Sequence, residues 1–269
     1  MLSERLLGVA GWPVGHSRSP AMHAAALAQL GLPWRYLRLP LPPEHFAETV
    51  RALPAIGYAG LNVTVPHKPA ALALADERTP AAEAIGAANT LTFAEGAITA
   101  ENTDAPGLIA ALGESPAGRT ALVLGAGGAG RAAAWALREA GAEVSIWNRT
   151  RERAQELADR LEIGHVERPG AAELVVNSTS VGLDPRTARE DVLAALGLTD
   201  VEPPPVLVDL VYGERPTALV GWGLGGGSRV VDGLEVLVCQ GALSLERWTG
   251  RAAPLATMRA ALERGPPAH

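Results

Sequence analysis

The residues best suited to chemistry lie in the segment Asn62-Val63-Thr64-Val65-Pro66-His67-Lys68. Lys68 is the only lysine of the chain, so every other member of the Lys+Arg count of 23 is an arginine. A lysine can lose its proton near neutral pH, whereas an arginine effectively cannot. We therefore interpret Lys68 as a candidate acid/base group; the alternative is an ordinary surface lysine in an arginine-rich chain.

The asparagines favour a ligand site because each of them belongs to a short polar motif. These are Asn62 in Asn-Val-Thr, Asn89 in Ala-Asn-Thr, Asn102 in Asn-Thr-Asp, Asn148 in Asn-Arg-Thr and Asn177 in Asn-Ser-Thr. An amide donates and accepts hydrogen bonds at one place, which suits a hydroxylated ligand. Asparagine also caps turns and helices, and Asn148 or Asn177 could do only that.

Two serines lie two residues apart, at Ser17 and Ser19, in the loop that runs from residue 11 to residue 20. In an extended loop both hydroxyls would point to one side and could bind one polyhydroxy or carboxylate ligand. Ser19 followed by Pro20 is also a regular helix start. Both interpretations can hold together, and Ser17 is the more ligand-like residue.

Asp104 follows Asn102-Thr103 and precedes an apolar helical run that reaches Leu112. One interpretation is a carboxylate that caps this helix. The other is a carboxylate beside Lys68 that holds the ammonium group and exchanges protons with it.

A glycine-rich turn lies between the apolar strand Thr120–Leu124 and a helix that continues from Arg131 to Ala140. Its sequence is Gly125-Ala126-Gly127-Gly128-Ala129-Gly130. This G-x-G-x-x-G spacing between a strand and a helix is typical of dinucleotide binding. The glycines allow a tight turn and the close approach of a pyrophosphate to the helix N-terminus.

The next strand, Glu143–Trp147, ends at Asn148-Arg149-Thr150, with Arg151 and Arg153 close behind. An NAD site usually carries an acidic residue at this place. A guanidinium group instead binds the 2′-phosphate of NADP, so the segment favours NADP. The arginines could also be the exposed face of the next helix, an interpretation that suits Arg151 better than Arg149.

Composition narrows the function class. The chain of 269 residues is 48% hydrophobic, which predicts a globular protein with material for one or two domains. A formal net charge of −6 and the lack of a basic block argue against nucleic-acid binding. No segment is long enough to cross a bilayer, and the single cysteine, Cys239, fits a reducing compartment. We therefore expect a cytoplasmic protein that does not bind membranes.

Strand and helix patterns alternate in the first part of the chain, which predicts a largely parallel sheet. The strand at residues 60–65 delivers Thr64 and Lys68 at its carboxyl end. Ligand sites of open α/β sheets lie at such strand ends.

Taken together, these motifs resemble the shikimate dehydrogenase family over nearly the whole chain. The matching motifs are Gly-x-Pro-Val-x-His-Ser-x-Ser-Pro at 11–20, Asn-Val-Thr-Val-Pro-His-Lys at 62–68, Gly-Ala-Ala-Asn-Thr at 86–90, Asn-Thr-Asp at 102–104, the glycine loop at 125–130, Asn-Arg-Thr at 148–150, Asp-Gly-Leu at 232–234 and Gln-Gly-Ala at 240–242.

The resemblance implies an α/β protein of two domains with a cleft between them. Residues 1–103 and 236–269 would form a substrate domain with a mostly parallel sheet, and residues 104–235 a Rossmann domain. Lys68 and Asp104 would be the catalytic pair. Shikimate would be bound by Ser17, Ser19, Thr64, Lys68, Asn89, Asp104, Tyr212 and Gln240. NADP would be bound by Gly125, Ala126, Gly127, Gly128, Ala129, Gly130, Asn148, Arg149, Thr150, Arg153, Leu210 and Gly233, and no metal is expected.

The activity implied by this resemblance is the reversible reduction of 3-dehydroshikimate to shikimate by NADPH, in a monomer or a homodimer. Three alternatives remain open at this point. One is a quinate/shikimate dehydrogenase that also uses NAD, and another is a folate or glutamate-family dehydrogenase of similar architecture. The third is a regulator that binds NADP without turnover.

Overall fold

The computed structural model describes residues 4–213 and 215–263, which divide into two compact units. The first unit runs to Gly107 and resumes at Leu237, and the second is Leu108–Val236. The predicted boundary after residue 103 therefore lies too early, and Asp104 belongs to the first unit together with Lys68. The reason is local packing, because a Cβ atom on Gly107 would lie only 2.8 Å from the backbone of Gln240.

The strands are β1 (Leu6–Gly11), β2 (Arg35–Pro40), β3 (Tyr58–Val63), β4 (Glu77–Arg78), β5 (Thr90–Ala94), β6 (Ala97–Glu101), β7 (Thr120–Leu124), β8 (Glu143–Trp147), β9 (Gly164–His165), β10 (Leu174–Asn177), β11 (Val206–Asp209) and β12 (Arg229–Asp232). The helices are α1 (Ser19–Gln29), α2 (Pro43–Ala52), α3 (Lys68–Leu74), α4 (Pro80–Ile85), α5 (Asp104–Leu112), α6 (Gly128–Glu139), α7 (Arg151–Leu161), α8 (Arg189–Ala195), α9 (Ala218–Gly225), α10 (Gly233–Thr249) and α11 (Leu255–Glu263), with a short 3-10 helix at Leu53–Ile56.

The first unit contains a sheet with the strand order β2-β1-β3-β5-β6-β4. Only β5 among these strands runs antiparallel to its neighbours, so the prediction of a mostly parallel sheet is confirmed. Every residue of β3 is buried, as expected for a strand covered on both faces of a parallel sheet. This strand leads directly to Thr64.

The second unit contains a fully parallel sheet with the order β12-β11-β10-β7-β8-β9. When the strands are numbered from β7, they follow the doubly wound order 3-2-1-4-5-6. The strand order reverses between the first strand, β7, and the fourth, β10. Ligands bind such sheets at the carboxyl ends of the strands beside this switch point. Here those ends are followed by Gly125 and Ser178, which confirms the prediction of a Rossmann-type unit.

Two local predictions differ from the structure. The strand predicted at residues 60–65 is Tyr58–Val63 in the structure, so Thr64 follows the strand and Lys68 begins helix α3. Ser19 is the first residue of α1, and its cap is Arg18 with helical backbone angles (φ −94°, ψ −2°). Because the chain is not extended at Arg18, the alternation argument for the two serines does not hold. In the described part of the chain no helix is long and apolar enough to cross a membrane.

His23 in α1 is fully buried in the first unit and stacks on Tyr36 of β2, with ring centroids 4.1 Å apart. Its Nδ1 lies 2.9 Å from the carbonyl oxygen of Ser19, and its Nε2 lies 3.2 Å from that of Gly241. Burial lowers the pKa of His23 to about 4, and the two carbonyl contacts oppose this shift. The ring therefore stays neutral at physiological pH.

Protonation of His23 predicts a loss of stability in acid. The unfolded chain takes up a proton near pH 6.5 and the folded chain only near pH 4, so the free energy of unfolding falls between these values. The expected loss is roughly 1–3 kcal/mol. Chemical denaturation from pH 7 to pH 4 measures it, with His23→Gln compared against the exposed control His45→Gln. Equal pH dependence in the His23→Gln variant and the wild type would contradict the assignment.

Candidate functional site

The predicted pair of Lys68 and Asp104 is an ion pair in the structure. Lys68 Nζ lies 2.6 Å from Asp104 Oδ2, and the two side chains are 11% and 19% exposed. Helices α3 and α5 both start at this place, Lys68 being the first residue of one and Asp104 of the other. The two groups are therefore close enough to share a proton and only slightly open to solvent.

Asn89 fixes the other oxygen of this carboxylate. The backbone N–H of Thr103 donates to Asn89 Oδ1 at 2.7 Å, which identifies this atom as the amide oxygen. Asn89 Nδ2 consequently faces Asp104 Oδ1, at 2.9 Å. One carboxylate thus accepts from an ammonium group on one side and from a buried amide on the other.

Gln240 of α10 joins the same group. Its Nε2 donates to the carbonyl of Leu237 at 2.8 Å, so its Oε1 is free to accept from Asn89 Nδ2 at 3.1 Å. The side chain is buried. Lys68, Asn89, Asp104 and Gln240 therefore form one connected polar site in the first unit.

Ser17 and Ser19 are buried within a loop that is partly exposed, and the loop is held by a residue that the sequence did not single out. Ser17 Oγ accepts from the backbone N–H of Ser19 at 3.3 Å, and both side chains are buried. Arg38 donates with Nε and Nη2 to the carbonyl of Ser17, at 3.1 and 2.8 Å. Thr64 is tied to β1 through its backbone N–H, which donates to the carbonyl of Ala10 at 2.8 Å.

His67 has a structural role beside Lys68. Its Nε2 lies 2.7 Å from the carbonyl oxygen of Leu41, and its ring stacks on Phe46 at a centroid distance of 4.3 Å. A carbonyl only accepts, so Nε2 carries the hydrogen. Burial lowers the pKa of His67, although this hydrogen bond opposes the shift. Burial therefore favours the neutral ring.

Three of the four glycines in the glycine loop of the second unit have different local surroundings. Gly125 has a φ of +107°, which favours glycine. A Cβ atom on Gly130 would lie 1.9 Å from the carbonyl oxygen of Gly125, so α6 packs too closely on the turn for any side chain. A Cβ atom on Gly127 would meet no described atom within 4 Å. Gly127 therefore borders open space at the N-terminus of α6.

Asn148 binds the glycine loop rather than standing free for a ligand. Its Oδ1 accepts from the backbone N–H of Ala126 at 3.2 Å, and its Nδ2 donates to the carbonyl of Thr150 at 2.8 Å. It thereby connects the turn after β7 to the turn after β8.

The three arginines after β8 differ in their contacts. Arg151 pairs with Glu167 at 2.7 Å. Arg149 and Arg153 are exposed, and within residues 4–213 and 215–263 neither forms an ion pair. Thr150 is exposed beside them. These two guanidinium groups are available to an anion.

The remaining predicted cofactor residues lie where β11 ends. Leu210 follows this strand directly, and its carbonyl oxygen would be 2.7 Å from a Cβ atom on Gly233, so the two backbones touch there. Tyr212, predicted to bind substrate, lies half-buried in the same second unit. Its contact with a substrate stays a prediction.

Asp209 is a buried residue that the sequence reasoning missed. Its Oδ1 accepts from Asn177 Nδ2 at 2.9 Å and from the backbone N–H of Val211 at 3.1 Å, and its Oδ2 accepts from Thr217 at 2.5 Å. Burial raises the pKa of this carboxyl although these bonds oppose the shift. An acidic residue at the end of an apolar strand was the available signal. In the described ranges no group of His, Cys, Asp and Glu could hold a metal ion.

Three parts of the chain match known protein families. Residues 9–91 match the family described as the shikimate dehydrogenase substrate binding domain, and residues 109–210 match shikimate / quinate 5-dehydrogenase. Residues 233–263 match the shikimate 5'-dehydrogenase C-terminal domain. A curated relative named shikimate dehydrogenase (NADP(+)), from Anaeromyxobacter sp. strain Fw109-5, is 44% identical over 96% of this chain and 95% of its own length.

Solved structures agree in fold and in sequence. The shikimate 5-dehydrogenase of Thermus thermophilus, solved in complex with NADP(H) and shikimate, is 41% identical with a TM-score of 0.85, covering 97% of this chain and 99% of that one. The shikimate dehydrogenase of Aquifex aeolicus is 34% identical with a TM-score of 0.86, covering 96% and 97%. The chain belongs to the shikimate dehydrogenase family.

Proposed function

We propose that this protein reversibly reduces 3-dehydroshikimate to shikimate with NADPH. The observation that carries the proposal is the Lys68–Asp104 pair, oriented by Asn89 and joined to Gln240, in a chain of this family. A ketone reduction needs a hydride donor and a group that gives a proton to the oxygen. The first unit supplies such a group.

Lys68 is the proposed acid in the reductive direction. Its ammonium donates a proton or a hydrogen bond to the oxygen that becomes the hydroxyl, and in the reverse direction the amine accepts the proton. Asp104, 2.6 Å from Nζ, holds Lys68 in place. Asn89 keeps the carboxylate in one orientation, so Lys68 returns to the same position after each turnover.

The substrate is a hydroxylated ring with a carboxylate, and several predicted residues supply groups that suit it. The hydroxyls of Ser17, Ser19 and Thr64 can donate to a carboxylate or accept from a hydroxyl. Gln240 keeps one N–H and one lone pair that its bonds to Leu237 and Asn89 leave unused. These substrate contacts, and that of Tyr212, are proposed.

The second unit fits NADP on two observations. The space in front of Gly127 is open at the N-terminus of α6, where backbone N–H groups favour a pyrophosphate. Arg149 and Arg153 are exposed cations that lack an acidic partner among the described residues, as binding of a 2′-phosphate requires. When bound, the cofactor supplies the hydride, while Asn148, Leu210 and Gly233 shape the loops around it.

Three further properties belong to this proposal. The substrate and the cofactor are the proposed small-molecule partners, and the monomeric or homodimeric state stays a prediction. A cytoplasmic location stays a prediction that rests on the single cysteine.

Replacement of Lys68 tests the proposed acid. Lys68→Ala is expected to lower kcat by about 10²–10⁴ with shikimate and NADP, because it removes the amine proposed to accept the proton in this direction. Lys68→Arg is the matched control, since it keeps a cation that cannot release its proton. Absorbance of the reduced nicotinamide measures turnover, and cofactor titration shows that both variants still bind NADP. A Lys68→Ala variant within a few-fold of wild type would remove Lys68 from the mechanism.

Replacement of Arg149 tests the cofactor preference. Arg149→Ala is expected to raise the Kd of NADP by about tenfold or more and to leave that of NAD nearly unchanged, because only NADP carries the 2′-phosphate. Arg151→Ala is the control, because Arg151 is exposed nearby but already paired with Glu167. Equal losses for NADP and NAD in the Arg149→Ala variant would show that this residue does not recognise the phosphate.

A further inference from the structure

Four polar side chains next to Asn89 are buried and lie outside the residues predicted to bind substrate or cofactor. They are Asn62, Thr90, Thr103 and Ser244, here called the hydroxyl cluster, and each is at most 5% exposed. Thr90 is at its centre. Its Oγ1 lies 2.9 Å from Ser244 Oγ, 3.0 Å from Thr103 Oγ1 and 3.2 Å from both Asn62 Nδ2 and Asn89 Oδ1.

Two backbone carbonyls set the direction of the hydrogen bonds, because a carbonyl only accepts. Asn62 Nδ2 donates to the carbonyl of Asn89 at 3.1 Å and to Ser244 Oγ at 2.9 Å. Ser244 donates its single hydrogen to the carbonyl of Gln240 at 3.1 Å. Ser244 can then accept one more hydrogen, and we assign it to Thr90 at 2.9 Å, which lies closer than Thr103 at 3.1 Å.

The remaining bonds follow from Thr90. With its hydrogen given to Ser244, the Thr90 oxygen accepts from the hydroxyl of Thr103 at 3.0 Å. The Thr103 backbone N–H holds Asn89 Oδ1 at 2.7 Å. Asn89 Nδ2 lies 2.9 Å from Asp104 Oδ1, 3.0 Å from Thr103 Oγ1 and 3.1 Å from Gln240 Oε1, and we assign its two hydrogens to Asp104 and Gln240. This is one consistent assignment in which every hydrogen has an acceptor.

We propose that Thr90 is a positioning residue: its hydroxyl fixes the hydrogen-bond directions of the cluster and so orients Asn89 toward Asp104 and Lys68. The proposal rests on the proposed function, since it concerns the same acid/base pair. Without this hydroxyl, the Thr103 hydroxyl can donate either to Ser244 Oγ at 3.1 Å or to Asn89 Oδ1 at 3.2 Å. The hydroxyl groups that contact Asn89 then have more than one arrangement, which weakens their hold on its amide.

The same strand provides a matched control. Thr92 lies two residues further along β5, hence on the same face, and its Oγ1 is the buried side-chain oxygen that has no hydrogen-bond partner among the described residues. The change from threonine to valine removes the same hydroxyl at both positions. Only at Thr90 does it remove hydrogen bonds.

The test compares Thr90→Val, Thr90→Ser and Thr92→Val with the wild type in turnover of shikimate with NADP. Thr90→Val is expected to lower kcat about tenfold and to alter its pH profile, with the KM of NADP unchanged, because the reacting groups are misplaced. Thr90→Ser keeps the hydroxyl and is expected to recover most of the rate. Thr92→Val is expected to stay within twofold of wild type. A folded Thr90→Val variant with kcat within twofold of wild type overturns the proposal, as does a Thr90→Ser variant as slow as Thr90→Val.

A readout independent of turnover separates this proposal from the proposed function. The side-chain amide of Asn89 is expected to exchange its hydrogens slowly by NMR in wild type, Thr90→Ser and Thr92→Val, and faster in Thr90→Val. If wild type lacks activity, the proposed function fails while these exchange rates still decide the role of Thr90. Unchanged exchange in Thr90→Val overturns it; if that variant does not fold, Thr90→Ala takes its place under the same criteria.

Discussion

The contact between the Lys68 ammonium and the Asp104 carboxylate is the interaction on which the first unit's polar site depends. Both groups are largely withdrawn from water, so each would be costly without the other; removal of one partner from a buried pair costs about 3–5 kcal/mol. The site meets this cost with short bonds to both carboxylate oxygens. Strand β3 leads to the start of α3 at Lys68, and β6 leads to the start of α5 at Asp104. The positions of these two strands in the sheet therefore place the ammonium beside the carboxylate.

The polar residues around this pair form a network rather than a set of independent contacts. Asn89 connects Asp104 to Gln240, and the hydroxyl cluster connects Asn89 to β3 and α10. A buried network of this kind is stabilising only when every group is satisfied. The condition is met here, because among the described residues every buried side-chain nitrogen and oxygen of this network has a hydrogen-bond partner.

Local signals in the sequence were enough to predict the glycine loop, the strand β7 before it and the next strand, β8. Gly125 has a positive φ, and Gly130 packs too closely on Gly125 for a side chain. Both requirements are local, so the spacing of the motif was enough to predict them. Gln240 and Asp104 could be named as polar residues in apolar surroundings, but their bonds could not, since they join segments distant in the chain. Arg38 and Asp209 were missed because one looks like a surface cation on an edge strand and the other like a loop acid. Helix α9 was missed because its glycines resemble a loop.

A steady-state assay of the purified wild-type protein tests the proposed reaction. The assay combines shikimate or quinate with NADP or NAD, in all four combinations. We expect turnover with shikimate and NADP well above that of the other three combinations. The first unit presents the Lys68–Asp104 pair, and the second presents the exposed Arg149 and Arg153 for the 2′-phosphate. Absence of turnover in every combination, with NADP binding intact, would contradict the proposed reaction.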